Sequence, residues 1–140
     1  MFIQIAIGSF LIVCTILVEV SFIELAIMAT RRFGKNLMDS KRFSHFVLVL
    51  TVTALWLLAA LSLAMWVWAL GFLYVGAFDT LEAALYFAMA SFTTLGFGDL
   101  LLPLEWRLLS GFAAANGLVL FGLNTAFLIE IMMRMRTSRR

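Results

Sequence analysis

Three stretches of this chain, 1–30, 46–78 and 108–133, contain no lysine or arginine. Each is longer than the roughly 20 apolar residues that an α-helix needs to cross the hydrocarbon core of a bilayer. In lipid every backbone N–H and C=O must find a partner inside the protein, and for uninterrupted apolar runs of this length the α-helix is the solution. Composition agrees, with 64% hydrophobic and only 13% charged residues, where a soluble domain carries roughly 25% charged residues. The chain therefore reads as an all-α integral membrane protein. Its 140 residues allow one bundle and no additional soluble domain. The one cysteine, Cys14, excludes an intrachain disulfide.

The net charge is +2, and its distribution carries more information than its size. Arg31, Arg32, Lys35, Lys41 and Arg42 fall in one connector, and Arg134, Arg136, Arg139 and Arg140 in the tail. Basic clusters flanking spans face the cytoplasm. That places Met1 outside, the connector 31–45 inside, and the tail 134–140 inside. A nucleic-acid surface is a poor match for basic clusters set among so much apolar sequence, so no nucleic-acid partner is expected.

The first span runs over residues 1–30. It lacks a basic start, its apolar run is too long for a signal peptide, and positive charge follows it instead of preceding it. Glu19 and Glu24 lie within it. Counting back from Arg31 at about 1.5 Å per residue puts Glu19 roughly 18 Å deep, near the bilayer centre. A carboxylate there costs at least about 2.5 kcal/mol, so it is expected to be protonated, paired or turned to a polar interior. One reading is an ion- or proton-linked site; the other is a protonated acid bonded to a hydroxyl or amide on a neighbouring helix. Five steps of about 100° separate the two carboxylates around the helix, so they do not share a site.

Gly34 and Asn36 read as breakers in the connector, and His45 as an interfacial residue. The second span, 46–74, carries Trp66, Trp68 and Tyr74 towards its outer end, as an aromatic belt requires. Gly71 and Gly76 loosen its exit. Asp79, Thr80 and Glu82 then read as a helix start, with Asp79 capping and Glu82 completing a capping box. The helix from Thr80 to Phe92 is too short to span and suits a re-entrant half-helix. Pro103 blocks early helix formation after the following loop. The last span, 105–133, holds Gly111, Gly117 and Gly122, small residues that let helices approach closely in lipid.

Between the short helix and the last span stands Thr93-Thr94-Leu95-Gly96-Phe97-Gly98-Asp99. Gly96 and Gly98 adopt positive φ without a Cβ penalty. Alternating them with other residues turns successive carbonyls towards one axis. Non-helical backbone at membrane depth is tolerated only where protein buries it or where it lines a watery cavity. A helix C-terminus carries about half a negative charge, which favours a cation held just beyond it.

This run resembles the selectivity filter of the potassium-channel superfamily, whose usual form is T-V-G-Y-G. Leu95 stands where valine is usual and Phe97 where tyrosine is most common. The resemblance extends to Phe121-Gly122-Leu123-Asn124-Thr125-Ala126, which is similar to an inner-helix stretch of bacterial members. Residues 46–133 then correspond to a pore domain of outer helix, pore helix, filter and inner helix, with the span 1–30 as an addition. The resemblance implies a filter formed by Thr94, Leu95, Gly96, Phe97 and Gly98, flanked by Thr93 and Asp99. It implies K+ held by the carbonyls of Thr94, Leu95, Gly96 and Phe97, and a gating hinge at Gly117. Some bacterial members bond the filter aspartate to a glutamate whose place here is Ala90, so Asp99 is expected to lack that partner.

One loop supplies one side of a filter, so four copies about an axis are expected, a C4 homotetramer. Asn124 is a candidate for the cavity and Glu130 for the inner mouth. Their alternatives are an interhelical hydrogen bond and pairing with nearby arginines; Asn116 reads as structural. The expected activity is passive, potassium-selective conduction, with lipid, monovalent cations and other copies of the chain as partners and no cofactor beyond the permeant K+. A nonselective cation channel, which Leu95 admits, and a non-conducting accessory or sensor protein are the rivals. No voltage-sensor arginine series is present. One histidine, one cysteine and no recognisable nucleophile–base pair argue against an enzyme. The bacterial-type inner helix implies a prokaryotic plasma membrane.

Overall fold

In a computed structural model, which describes residues 1–38 and 43–137, the chain is a bundle of four α-helices. They are α1 (Phe2–Met38), α2 (Phe43–Tyr74), α3 (Leu81–Phe92) and α4 (Arg107–Thr137), with a short 3-10 turn at Leu104–Trp106 leading into α4. No strand occurs among the described residues. Three of the helices are long and apolar enough to cross a membrane, with spans at Phe2–Thr30, Ser44–Tyr74 and Leu104–Thr137. The short α3 lies between the second and third, as expected of the half-helix.

Several boundaries differ from the sequence expectation. Helix α1 passes through Arg31, Gly34 and Asn36 and ends only at Met38. A glycine costs a helix interior about 1 kcal/mol, which a long helix absorbs. Lys41, Arg42, Arg139 and Arg140 lie outside the described residues. Helix α3 is capped by Thr80, not Asp79: Thr80 is extended (φ −125°, ψ 145°) and its Oγ1 accepts from the Ala83 N–H at 3.3 Å. Glu82 therefore sits one position too early to close a capping box. Trp68 leaves the aromatic belt altogether. It is fully buried, whereas Trp66 is 42% and Tyr74 90% exposed.

Contacts along the helices fix how they run. Gln4 bonds to the amide of Leu108, Gly8 lies against Phe112, and Thr15 meets Asn116. Their numbers rise together, so α1 and α4 are parallel. Leu11 lies against Gly71, and Phe22 stacks on Trp56 at 4.9 Å, so α1 and α2 are antiparallel. The Trp56 Nε1–H also donates to the Phe22 carbonyl at 2.9 Å. Cβ atoms added at Gly8 and Gly71 would fall 2.9 Å from the Phe112 ring and 2.7 Å from Leu11 Cδ1. Both glycines therefore mark close helix approach, the use lipid-embedded bundles make of small residues. Gly71 is part of α2 and not a loosened exit; the chain turns at Gly76, where φ is +69°.

The core has two parts. Around α3, Trp68, Phe72, Phe87, Phe92, Leu109 and Leu120 pack α2, α3 and α4 together. Phe72 meets Phe87 edge-on at 5.3 Å, a favoured aromatic geometry. At the opposite end of the bundle, Leu57 packs with Phe127, Ile131 and Met135, backed by Ile23 and Ile27 of α1. The first of these clusters seats α3, and with it the loop that follows.

Candidate functional site

Helix α3 ends in a left-handed turn built from the loop's first residues. Thr93 is its C-cap, and Thr94 follows at φ +58°. The Thr94 N–H donates to the Ser91 carbonyl at 3.0 Å and the Leu95 N–H to the Ala90 carbonyl at 2.9 Å. This pair of bonds is the Schellman termination, whose left-handed position is ordinarily glycine. Here it is a β-branched threonine, for which positive φ is a genuine outlier. The Gly96 N–H also reaches the Ala90 carbonyl, at 3.2 Å. The Thr93 hydroxyl donates to Met89 O at 2.8 Å, which ties the loop to the helix once more.

Positive φ then recurs at every second residue: +58° at Thr94, +53° at Gly96 and +78° at Gly98. The sequence pointed to the two glycines; Thr94 as the third member was not anticipated. Its only signal was position, directly after the C-cap. In a trans peptide the carbonyl of one residue points opposite to the next residue's N–H. With the amides of Thr94, Leu95 and Gly96 turned back to α3, the carbonyls of Thr93, Thr94 and Leu95 face away from it. Cβ atoms built at Gly96 and Gly98 would meet nothing within 4 Å, so these two glycines serve backbone conformation and not packing.

The far end of the loop is anchored separately. The Tyr86 hydroxyl donates to Asp99 Oδ2 at 2.7 Å and holds that carboxyl below its ordinary range. Asp99 has no glutamate partner, since Ala90 stands at that place. Its partner, which the sequence reading did not name, is Tyr86, which precedes Ala90 by four residues and so shares its helix face one turn earlier. A donor at that spacing was the signal available in the sequence. Between the two anchors Leu95 and Phe97 remain 58% and 66% exposed on the single chain.

Gly117 sits where α4 crosses the end of α3. A Cβ there would overlap the Phe92 carbonyl oxygen and lie 2.8 Å from its carbon and 3.0 Å from its Cα. The glycine therefore allows α4 to touch the backbone that carries the loop. Asn124 is 5% exposed and lies beside Glu19 of α1. Asn116 is structural, as read: its Nδ2–H donates to Thr15 Oγ1 at 2.6 Å. Glu130 pairs with Arg134 at 2.6 Å, both about half exposed, which matches its alternative and is worth little energetically. Glu19 is fully buried and Glu24 is exposed, so the two carboxylates are indeed apart. Among the described residues no group of three or more His, Cys, Asp or Glu is placed to hold a metal ion.

Set against known proteins, residues 46–134 match a family model described as an ion channel. No curated protein and no solved structure matches the chain significantly. The match covers α2, α3, the 93–99 loop and α4 up to its basic end, the elements that build and position that loop. The chain therefore belongs to the ion channel family, with α1 lying outside the part that defines it.

Proposed function

We propose that the chain is the subunit of a potassium-selective channel, a C4 homotetramer in which four copies of Thr94–Gly98 surround the permeating ion. The observation that carries this reading is the alternation of positive φ at Thr94, Gly96 and Gly98, with a strained β-branched residue as its first member. Strain of this kind persists where surrounding structure over-determines it, and it clusters at functional sites. Alternating handedness is the backbone pattern that lets consecutive carbonyls line one side, and carbonyls of Thr94, Leu95, Gly96 and Phe97 would replace the hydration shell of K+. The C-terminus of α3, aimed into the same loop, adds negative potential. Leu95 and Phe97, exposed on one chain, gain cover from neighbouring copies. In this reading Thr93 and Asp99 flank the filter, Gly117 serves close packing and bending of α4, and the basic ends of α1 and α4 face the cytoplasm of a prokaryotic cell.

Leu95 favours a second reading, a nonselective monovalent cation channel, because a bulkier side chain than valine sits near the base of the filter. One experiment separates the two. Purified protein in a planar bilayer under a potassium/sodium gradient is tested for single-channel current, with barium block and Gly96→Ala as controls. A reversal potential near potassium equilibrium, lost in the variant, is the expected result. Reversal near zero selects the nonselective reading. Absence of current together with a subunit count other than four refutes both.

A further inference from the structure

The face that α1 turns inward carries Gln4, Gly8, Leu11, Thr15 and Glu19. Gln4 and Thr15 find partners on α4: Gln4 Oε1 accepts from the Leu108 N–H at 3.1 Å, and Thr15 Oγ1 from Asn116. Glu19 does not. It is fully buried, and neither carboxyl oxygen has a hydrogen-bond partner. Asn124 of α4 is the polar side chain in reach, and its amide nitrogen and oxygen are equally without partners. Two buried, complementary polar groups thus face each other across the seam between α1 and α4, all four of their polar atoms unsatisfied.

A carboxyl and a carboxamide have one arrangement that satisfies both. The acid O–H donates to the amide oxygen, and the amide N–H donates to the acid carbonyl. That arrangement requires the proton. An ionised carboxylate can accept from Nδ2, but it leaves the amide oxygen unpaired and a charge in a dry, lipid-embedded seam, where it is strongly disfavoured. No competing charge helps it. Residues 46–73 of α2 and 108–129 of α4 contain no titratable side chain, with His45, Tyr74, Arg107 and Glu130 lying just beyond. On α1 the nearest titratable groups are Cys14 and Glu24, each five positions away and on another face.

We propose that Glu19 and Asn124 form a proton-binding site that docks the inner half of α4 onto α1. Protonated, the pair closes two hydrogen bonds across the seam and holds Phe127, Ile131 and Met135 in their cluster with Leu57. Loss of the proton to the aqueous phase leaves a charge the seam does not tolerate, and α4 separates from α1 below Gly117. Because α4 is the pore-lining helix in the function proposed above, ion flux follows the protonation of a residue outside the family's pore domain.

The test uses the full chain in lipid nanodiscs, titrated between about pH 4 and pH 10 and followed by infrared difference spectroscopy, with flux from liposomes in parallel. Glu19→Gln keeps the shape and the amide-type pairing and cannot ionise; Asn124→Leu removes the partner. The expected result is a carboxylic-acid band that disappears in one transition, is absent from Glu19→Gln, and shifts its midpoint by about one pH unit or more in Asn124→Leu. Flux from the unaltered chain is expected to change about fivefold or more through the same midpoint and to be flat in Glu19→Gln. A band that never titrates, or that survives in Glu19→Gln, overturns the site. A pH response of flux that persists in Glu19→Gln overturns its coupling to α4. A band that titrates and responds to Asn124→Leu in a protein without flux upholds the site while removing the channel reading.

Discussion

Gly117 separates two physical accounts of the same residue. Were it needed only as a point of bending, alanine there would stiffen α4 and leave stability intact or improved, since alanine exceeds glycine in a helix interior by about 1 kcal/mol. The close approach to Phe92 predicts the reverse. The added Cβ would stand 2.8 Å from the Phe92 carbonyl carbon, where ordinary contact begins at 3.4 Å, and closer still to the oxygen. These are backbone atoms that cannot swing aside, so α4 and the end of α3 must part by roughly an ångström, and overpacking of this kind costs about 1–3 kcal/mol, here near the upper end. Net of the propensity gain, Gly117→Ala is expected to destabilise by about 2 kcal/mol. Gly122→Ala, whose Cβ meets nothing within 4 Å, supplies the control and should gain up to about 1 kcal/mol. Thermal unfolding of the detergent-solubilised protein measures both, and reversal potential reports whether the displaced α3 end disturbs the loop. The expected order is Gly122→Ala, the unaltered chain, then Gly117→Ala lower by several degrees. Equal melting of the two variants would refute the close-approach account.

Four further substitutions test other contacts. Thr94→Gly removes the left-handed penalty of about 1–2 kcal/mol and should raise the melting temperature while loosening the loop and weakening ion discrimination in reversal-potential measurements. Thr80→Ala should cost about 1 kcal/mol of stability through the lost cap while Asp79→Ala costs little; equal effects in denaturation would return the cap to Asp79. Tyr86→Phe removes the donor to Asp99. Because that bond lowers the Asp99 pKa, its contribution is present above the ordinary carboxylate value and is lost as pH falls through the lowered one. Acid destabilisation below about pH 4 should therefore be weaker in Tyr86→Phe, and any current should decline faster during sustained conduction.

Chain order and composition alone determined the membrane class, the three spans, the short helix and the glycine loop. The physical reason is that lipid leaves long apolar runs no choice but helix, and that Gly96 and Gly98 announce their own backbone freedom. Sequence also marked Glu19 as a buried acid in need of an interhelical partner. Tertiary structure decided which side chain it faces. Asn124 and Asn116 look alike along the chain, and only the parallel register of α1 and α4 sets one beside Glu19 and the other on Thr15. It decided that Trp68 belongs to the core, because α3 packs over that face of α2 and not over Trp66. It decided that Tyr86 takes the place left by Ala90, since reaching Asp99 depends on how the loop folds back over α3. Most of all it decided the handedness of Thr94. No β-branched residue chooses positive φ by itself; the hydrogen bonds that close α3 onto Ala90 and Ser91 impose it, at a helix end that packs against Gly117.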